Sequence, residues 1–394
     1  MNNSVFDQVT HRRGTGCVKW DEAPNDKTLP LWVADMDFEV APAIRQAVVE
    51  RAVHGIYGYT LVEEGYYNAV IQWFKRRHGW MIERQSMLYT SGVVPALSCI
   101  IRAATMPGER VLILTPVYNC FFSSIRNNGC EPSESALVVG CDGRYSVDWQ
   151  DFEQRCADSK TTLFLLCNPH NPGGRVWTKE ELQHMGEICR RYGVLVVSDE
   201  IHNELVMPGY HYTPFAVATA GHEGQCVVCT AASKAFNIAG LQMANIVCTD
   251  AALRRRIDRA ININEVCDVN PFGPIATIAA YNESEEWLDA LLPYISDNYK
   301  LLCSRIASSQ VLSCLIPMPL EGTYLAWVNA TALCQRLGTN AEGLEQWLMD
   351  HANVWFNAGT LYGAAGEGYL RINLACSRAT LSEALDRVEA ALAT

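Results

Sequence analysis

The sequence predicts an α/β protein built on a buried parallel sheet, with a second, smaller α+β domain. Two observations lead to this prediction. Between residues 85 and 250, short apolar runs alternate with amphipathic helical patterns, which is typical of βαβ units. Further along the chain, a long helical pattern is followed by two strand-like runs at residues 322–328 and 369–374. We expect a large domain over residues 50–285 and a small domain formed by residues 1–49 and 286–394.

The individual elements of both domains follow from their apolar patterns. Four apolar runs of strand length stop at polar or proline-containing segments, and they occupy residues 111–114, 162–167, 194–197 and 227–229. A helix is predicted over residues 178–192, because Thr178 and Glu181 form a capping box and Gly193 follows the last turn. In the small domain, a helix is predicted over residues 287–306.

Composition limits the partners that the protein can have. The chain has 394 residues and a net charge of −12, which argues against a nucleic-acid groove or an anionic membrane surface as the main partner. Residues 1–13 are polar and contain neither a signal-peptide core nor a DNA-binding segment. The apolar runs are too short to cross a bilayer. We therefore expect a cytoplasmic protein.

The sixteen cysteines are predicted to be reduced rather than paired or bound to metal. Most lie in apolar stretches, where a free cysteine packs as a small hydrophobic side chain. Cys226 and Cys229 form a CxxC pair, but residues three apart on a strand point to opposite faces of the sheet. His202 and Glu204 also lack the spacing of a closed metal site. We expect no metal ion.

Lys234 stands out among the seven lysines of the chain. Its neighbours, residues 231–240, are mostly small or apolar, whereas the other lysines lie among polar residues or have no distinctive surroundings. Poor solvation lowers the pKa of a lysine amine and makes it competent to form an imine. Alternatively, Lys234 is a helix-end lysine whose stem covers apolar surface.

Asp199 and Asn171 lie in two further polar clusters, each of which directly follows a predicted strand. Ligands of open α/β sheets bind beyond the carboxyl ends of the strands, where we expect these clusters and Lys234 to converge. A buried carboxylate needs a cation, such as the protonated pyridine nitrogen of pyridoxal 5′-phosphate (PLP); otherwise, Asp199 is a helix N-cap. Two Asn-Pro pairs in residues 168–172 fix Asn171, whose amide can donate to the phenolate oxygen of PLP.

Three other positions fit a phosphate, a ring or a substrate. Ser91 is placed as the N-cap of an apolar helix, and the free amides and dipole of such a helix end suit a phosphate. Tyr118 either stacks on a pyridine ring or packs in the core. Arg371 shares a strand face with Asn373, and it is either exposed or binds a substrate carboxylate.

Taken together, these residues resemble the fold-type-I PLP enzymes of the aspartate aminotransferase superfamily, over essentially the whole chain. Within it, the chain is most similar to the MalY/PatB group of cystathionine β-lyases and related C–S lyases. The stretches that carry this likeness are WVADMDF at 32–38, YGYT at 57–60, SGVV at 91–94, NPHNPGGRVW at 168–177, SDEIH at 198–202, SKAFNI at 233–238 and GTYLAW at 322–327.

The resemblance implies the PLP-dependent transferase fold of type I, in which the large domain has a mostly parallel sheet of seven strands. It also implies that Lys234 carries PLP as an imine, that Asp199 pairs with the pyridine nitrogen, that Asn171 and His202 contact the phenolate oxygen, and that Tyr118 stacks on the ring. The implied phosphate ligands are Ser91, Gly92, Val93, Val94, Thr230 and Ser233. Gln242 stands where many aminotransferases have a phosphate-binding arginine.

The resemblance further implies a substrate site and a homodimer. Arg371, with Asn171 and Ala34, is expected to bind the substrate. Tyr59 is expected to reach the cofactor phosphate of the neighbouring subunit, and to act as a catalytic residue together with Lys234 and Asp199.

Three functions are compatible with these residues. The first is α,β-elimination from L-cystathionine or a related cysteine S-conjugate, which yields a thiol, pyruvate and ammonia. The second is transamination of the class I and II type, which uses the same residues. The third is a protein of this fold that acts mainly by binding a regulatory partner. Spacing alone does not separate the first two, and the resemblance favours the C–S lyase.

Overall fold

The computed structural model describes residues 5–221, 225–264 and 268–393. In this part of the chain the strands are, in order, β1 (Leu29–Pro30), β2 (Met87–Thr90), β3 (Arg110–Thr115), β4 (Glu131–Ala136), β5 (Val138–Val139), β6 (Tyr145–Ser146), β7 (Thr161–Cys167), β8 (Leu195–Asp199), β9 (Cys226–Thr230), β10 (Ala244–Cys248), β11 (Ile316–Pro317), β12 (Leu325–Asn329), β13 (Val354–Trp355), β14 (Asn357–Ala358) and β15 (Tyr369–Asn373).

The α-helices of the same residues alternate with these strands in the first two thirds of the chain. They are α1 (Val18–Asp21), α2 (Pro42–His54), α3 (Glu64–His78), α4 (Val93–Ala104), α5 (Asn119–Asn127), α6 (Trp149–Cys156), α7 (Lys179–Tyr192), α8 (Phe215–Ala218), α9 (Ala251–Asn262), α10 (Gly273–Glu283), α11 (Glu285–Ser308), α12 (Thr331–Leu337), α13 (Ala341–Trp347) and α14 (Arg378–Leu392). No helix of the described chain is both long enough and apolar enough to cross a membrane.

The central sheet has seven strands in the order β2-β10-β9-β8-β7-β3-β4. Its neighbouring strands run parallel, except that β10 is antiparallel to both β2 and β9. Both faces are apolar: along β3, Val111 and Ile113 pack into one hydrophobic cluster, and Leu112 and Leu114 pack into the other. Strands that are covered on both faces have the near-continuous apolar runs from which the sheet was predicted. The predicted α/β class and the mostly parallel seven-stranded sheet are confirmed.

The predicted capping box is present at the start of α7. The Thr178 hydroxyl accepts a hydrogen bond from the Glu181 amide at 3.2 Å, and the Glu181 carboxylate accepts one from the Thr178 amide at 2.8 Å. Gly193 follows the helix in a left-handed conformation with φ of 71°. The chain then continues into β8, whose last residue is Asp199.

Cys226 and Cys229, at the two ends of the CxxC pair in β9, pack into different hydrophobic clusters on opposite faces of the sheet. This arrangement agrees with the expected period of two residues along a strand. Within the described residues, no group of three or more His, Cys, Asp or Glu side chains is placed to hold a metal ion.

A second sheet, with the order β11-β12-β15-β14, is antiparallel and lies in the C-terminal part of the chain. The N-terminal arm joins this region, because β1 pairs in parallel with β13, and the Asn373 amide donates to the Leu31 carbonyl at 2.9 Å. The predicted helix over residues 287–306 is α11. The division into residues 50–285, and 1–49 with 286–394, stays a prediction.

Candidate active site

A cavity of about 390 Å³ lies at the carboxyl ends of the central strands. Residues from all three predicted polar clusters line it: Asn171, Asp199, Ile201, His202, Ser233 and Lys234. Its volume lies in the range of sites that bind small molecules and cofactors. The structure therefore brings together, at one edge of the sheet, side chains that are far apart in the sequence.

Asp199 is one of the residues that line this cavity. It ends β8 between Cys167 on β7 and Cys229 on β9, and its side chain is buried. Burial raises the pKa of Asp199 to about 7, although the hydrogen bond from the Ile201 amide at 3.1 Å and the charge of Lys234 act in the opposite direction. A cation placed against this carboxylate would offset the cost of burying its charge. The protonated ring nitrogen of PLP fits this position.

Lys234 follows β9, and its side chain lines the same cavity. The amine donates a hydrogen bond to the Ala34 carbonyl at 2.6 Å. Loss of solvent, followed by the charge of Arg371, lowers the pKa of Lys234 to about 8, and Asp35 and Asp199 partly oppose this shift. An amine of this kind is a better nucleophile at neutral pH than an exposed lysine.

The pKa of Lys234 leads to a pH-dependent prediction. Only the unprotonated amine attacks an aldehyde, so imine formation between PLP and the apoprotein is expected to accelerate with rising pH, with a midpoint near 8. Lys75, whose side chain is exposed on α3, is the control lysine. Stopped-flow absorbance, with peptide mapping after borohydride reduction, measures both. A rate at Lys234 that rises in parallel with that at Lys75 would contradict the prediction.

Arg371 of β15 is buried and lines the same cavity. Its guanidinium donates to the Trp32 carbonyl at 2.7 Å and to the Asn171 side-chain oxygen at 3.3 Å, and it lies 4.8 Å from the centre of the Tyr362 ring. Among the described residues, its Nε atom has no hydrogen-bond partner. A buried cation with an unused donor is suited to bind a carboxylate. Because Asn171 accepts through its oxygen, its amide nitrogen remains as the donor for a second group.

Residues 32–35, which we name the covering segment, connect the N-terminal arm to the cavity through peptide carbonyl oxygens. The Ala34 carbonyl accepts from Lys234 and also from the Tyr324 hydroxyl, at 2.8 Å. Asn373 donates to two further carbonyls of the segment, both at 2.6 Å. The predicted sharing of one strand face by Arg371 and Asn373 therefore has a structural reason: both side chains hold this segment.

His202 is buried in the cavity wall and is neutral. Burial, together with the charges of Lys234 and Arg371, lowers its pKa to about 3. Its Nδ1 atom has no hydrogen-bond partner in the described part of the chain. Tyr118, which directly precedes α5, lines the same cavity, and burial raises the pKa of its phenol so that it stays protonated. A neutral imidazole and a flat phenol are compatible with the predicted contacts to a phenolate oxygen and a pyridine ring.

The start of α4 forms the end of the cavity at which a phosphate is predicted. Ser91, Gly92, Val93 and Val94 all line it. The prediction that Ser91 is the N-cap is wrong: α4 begins at Val93, so Gly92 occupies the cap position, and no side chain caps the helix. The first amides of such a helix have no partner within the helix and remain available to an anion.

The remaining predicted phosphate contacts are divided between the cavity and its surroundings. Ser233 and Gln242 line the cavity. Thr230 is not among the lining side chains; it is buried, and its hydroxyl accepts from the Asn245 amide at 3.4 Å. Tyr59 is 98% exposed and also lies outside the lining, so its predicted role depends on a neighbouring subunit.

Sequence reasoning missed several side chains of the cavity. Trp32 lies in a motif that was identified only by resemblance, and the others have no local signal: Cys120, Asn357, Leu361 and Tyr362. The last three come from the C-terminal region, which the fold places over the carboxyl edge of the central sheet. Neither an apolar periodicity nor a turn motif in the sequence predicts contacts between residues that are so far apart in the chain.

A lysine amine of lowered pKa lies with a buried aspartate and an arginine in one cavity at the carboxyl edge of a mostly parallel sheet, and this arrangement is typical of a PLP-dependent enzyme. The chain belongs to the aminotransferase class I and II family, whose model matches residues 26–388. This agrees with the resemblance found from the sequence.

Comparison with individual relatives indicates the group to which the chain is similar within that family. The chain is 39% identical to cystathionine β-lyase PatB of Bacillus subtilis, over 98% of this chain and 99% of the relative. It is 32% identical to protein MalY of Escherichia coli, over 96% of each chain. The crystal structure of the PLP-bound C–S lyase from Staphylococcus hominis superposes with a TM-score of 0.92 at 31% identity, covering 98% of each chain. The predicted likeness to the MalY/PatB group is confirmed.

Proposed function

We propose that the protein is a PLP-dependent C–S β-lyase that cleaves L-cystathionine or a related L-cysteine S-conjugate by α,β-elimination. The products are a thiol, pyruvate and ammonia. The predicted cofactor and reaction class are confirmed by the cystathionine β-lyases and PLP-bound C–S lyases among its relatives. The observation that carries the proposal is the placement of Lys234, Asp199 and Arg371 around one cavity.

PLP, when bound, supplies an aldehyde for the imine and a ring that withdraws electrons from the substrate Cα. The side chains of this protein position the cofactor and the substrate and transfer the proton. Lys234 removes the proton from Cα with its Nζ atom, and Asp199 keeps a proton on the ring nitrogen. Asn171 and His202 donate to the phenolate oxygen. The covering segment and the buried walls limit the access of water to the reacting atoms.

Turnover of L-cystathionine tests this function directly. Purified protein with PLP is expected to release pyruvate and a free thiol in equal amounts, without added keto acid. Lactate dehydrogenase with NADH measures the pyruvate, and a thiol reagent measures the thiol. Exchange of amino groups with an added keto acid, in the absence of pyruvate and thiol release, would instead identify an aminotransferase.

Arg371 is proposed to bind the α-carboxylate of the substrate. Replacing Arg371 with leucine is expected to raise KM for L-cystathionine about 10- to 100-fold, because a charge-assisted hydrogen bond to a buried cation is lost. Steady-state pyruvate release measures the effect. Arg336→Leu, at the end of α12, is the control for loss of a surface arginine. An unchanged KM in the folded Arg371→Leu variant would contradict the proposed contact.

The protein is also proposed to act as a homodimer in the cytoplasm. Exposed apolar side chains are concentrated between α2 and α3 and at the end of α2, where Val53, Ile56, Tyr57, Tyr59 and Leu61 are each more than half exposed. Apolar residues concentrated in this way support a protein–protein contact. The small-molecule substrate fits the size of the cavity. Unpaired thiols such as Cys99, Cys141 and Cys248 support a reducing compartment.

Tyr59 is proposed to bind the cofactor phosphate of the partner subunit through its hydroxyl. Tyr59→Phe is therefore expected to raise the Kd for PLP about 10-fold, because one hydrogen bond to a charged group is lost. Equilibrium dialysis measures the Kd, and sedimentation velocity checks that the dimer persists. Tyr192→Phe, whose hydroxyl contacts Glu153 on the surface, is the matched control. Equal Kd values for the two variants would contradict the role of Tyr59.

A further inference from the structure

Cys120 is a cysteine of the candidate site to which the proposed elimination assigns no role. It lines the cavity from the first turn of α5 and is partly exposed within it. Its thiol contacts the phenol of Tyr118, and it is close enough to interact electrostatically with Lys234 and Tyr362. Cys120 therefore lines the same cavity as Lys234 and Arg371, the two residues that are proposed to hold the substrate.

The thiol of the second cysteine that lines the cavity is buried and hydrogen-bonded. Cys167 is fully buried, its thiol donates to the Pro169 carbonyl at 3.2 Å, and it accepts from the Asn171 amide at 3.4 Å. Burial, followed by the charge of Asp199, raises the pKa of the Cys167 thiol well above its usual value. Among the described cysteines that line the cavity, Cys120 is thus the one whose thiol a released sulfur compound can reach.

Two further atoms indicate that the cavity binds a polar ligand beside Cys120. Nε of Arg371 and Nδ1 of His202 belong to side chains that are more than nine-tenths buried, and neither atom has a partner in the described chain. Buried donors and acceptors without partners are rare in folded proteins, and a bound ligand would satisfy them. A ligand bound by these atoms would occupy the cavity that the Cys120 thiol also lines.

We propose that Cys120 accepts sulfane sulfur from a perthiol that is released in the cavity when the substrate is a disulfide-linked cysteine conjugate such as L-cystine. The inference rests on the proposed lyase function. Elimination from L-cystine breaks one Cβ–S bond and gives pyruvate, ammonia and thiocysteine, R–S–SH. The Cys120 sulfur then attacks the terminal sulfur: the S–S bond of the perthiol breaks, an S–S bond to Cys120 forms, and the released R–S takes the proton of the thiol. No external oxidant or reductant is needed.

Mass spectrometry after turnover of L-cystine tests the proposal. The holoenzyme is incubated with L-cystine, alkylated and digested, and peptides that carry one additional sulfur are quantified. The persulfide at Cys120 is expected to exceed that at the exposed Cys141 at least about tenfold, because a perthiol released beside Cys120 has a high effective concentration there. With L-cystathionine, which releases a thiol rather than a perthiol, Cys120 is expected to stay unmodified while pyruvate forms.

A pair of variants provides the second measurement. In Cys120→Ser, the sulfane sulfur released from L-cystine is expected to remain in the small-molecule fraction, where cyanide converts it to thiocyanate; in Cys141→Ser it is expected to stay on the protein. Pyruvate from L-cystine without a persulfide at Cys120, or equal modification of Cys120 and Cys141, would overturn the inference alone. Absence of pyruvate with both substrates would overturn the lyase function, and with it the source of the perthiol.

Discussion

Replacing Lys234 with alanine is expected to lower kcat for pyruvate release at least about 10⁴-fold, because general base catalysis and the imine linkage are lost together. The variant is also expected to lose the absorbance of the PLP imine, and borohydride should no longer fix the cofactor to the peptide that contains residue 234. The amine makes one hydrogen bond, to the Ala34 carbonyl, so its removal is expected to leave the fold intact.

Lys75→Ala is the matched control for this substitution. Lys75 lies on α3 with its side chain exposed, and its loss is expected to change neither the absorbance of the cofactor nor the rate. Two results would contradict the assignment of Lys234. One is an activity of Lys234→Ala close to that of Lys75→Ala, and the other is a borohydride-fixed cofactor on a different lysine of the wild-type protein.

Replacing Asp199 with asparagine is expected to lower kcat about 10²- to 10³-fold, because an amide cannot hold the proton on the ring nitrogen and a buried charge pair is lost. The same change is expected to stabilise the apoprotein. Burial raises the pKa of Asp199 to about 7, so folding costs the ionised carboxylate free energy once the pH exceeds the pKa of the unfolded chain.

The stability of the apoprotein is expected to depend on pH because of Asp199. Between about pH 4 and pH 7 the unfolded chain loses the proton of Asp199 first, so the wild-type apoprotein loses stability with rising pH relative to Asp199→Asn, by a few kcal/mol at most. Thermal unfolding of both apoproteins at pH 5 and pH 8 gives the difference. Asp297→Asn, an exposed carboxylate on α11, is the control. A variant with wild-type kcat, or an apoprotein that is equally destabilised at both pH values, would contradict the role of Asp199.

The sequence predicted best those features that depend on neighbours within a few residues. The strand that ends at Asp199 and the helix capped by Thr178 follow from local apolar periods and from local hydrogen bonds, so their positions agree to within two or three residues. The convergence of Asn171, Asp199 and Lys234 followed from one rule of topology, because the carboxyl ends of parallel strands share one edge of the sheet.

Features that depend on long-range packing were not predictable in the same way. Asn357 and Tyr362 reach the cavity because the C-terminal sheet packs over the central one, and no pattern in the sequence encodes that approach. The error at Ser91 has a different cause. Serine is a favourable N-cap, but the helix starts one residue later than the pattern suggests, and Gly92 takes the position.

The oxygens of its peptide bonds join the covering segment to Lys234, Arg371 and Asn373, whereas the side chains of Trp32 and Asp35 contact Trp355 and Arg12. Alanine replaces a side chain and keeps every one of those oxygens, so an alanine scan across residues 32–35 would measure the contacts of Trp32 and Asp35 but not those of the carbonyl oxygens. A backbone change, such as an ester bond in place of the amide that carries the Ala34 oxygen, weakens the acceptor itself. Chemical ligation or nonsense suppression with a hydroxy acid would therefore reveal a dependence that ordinary mutagenesis conceals.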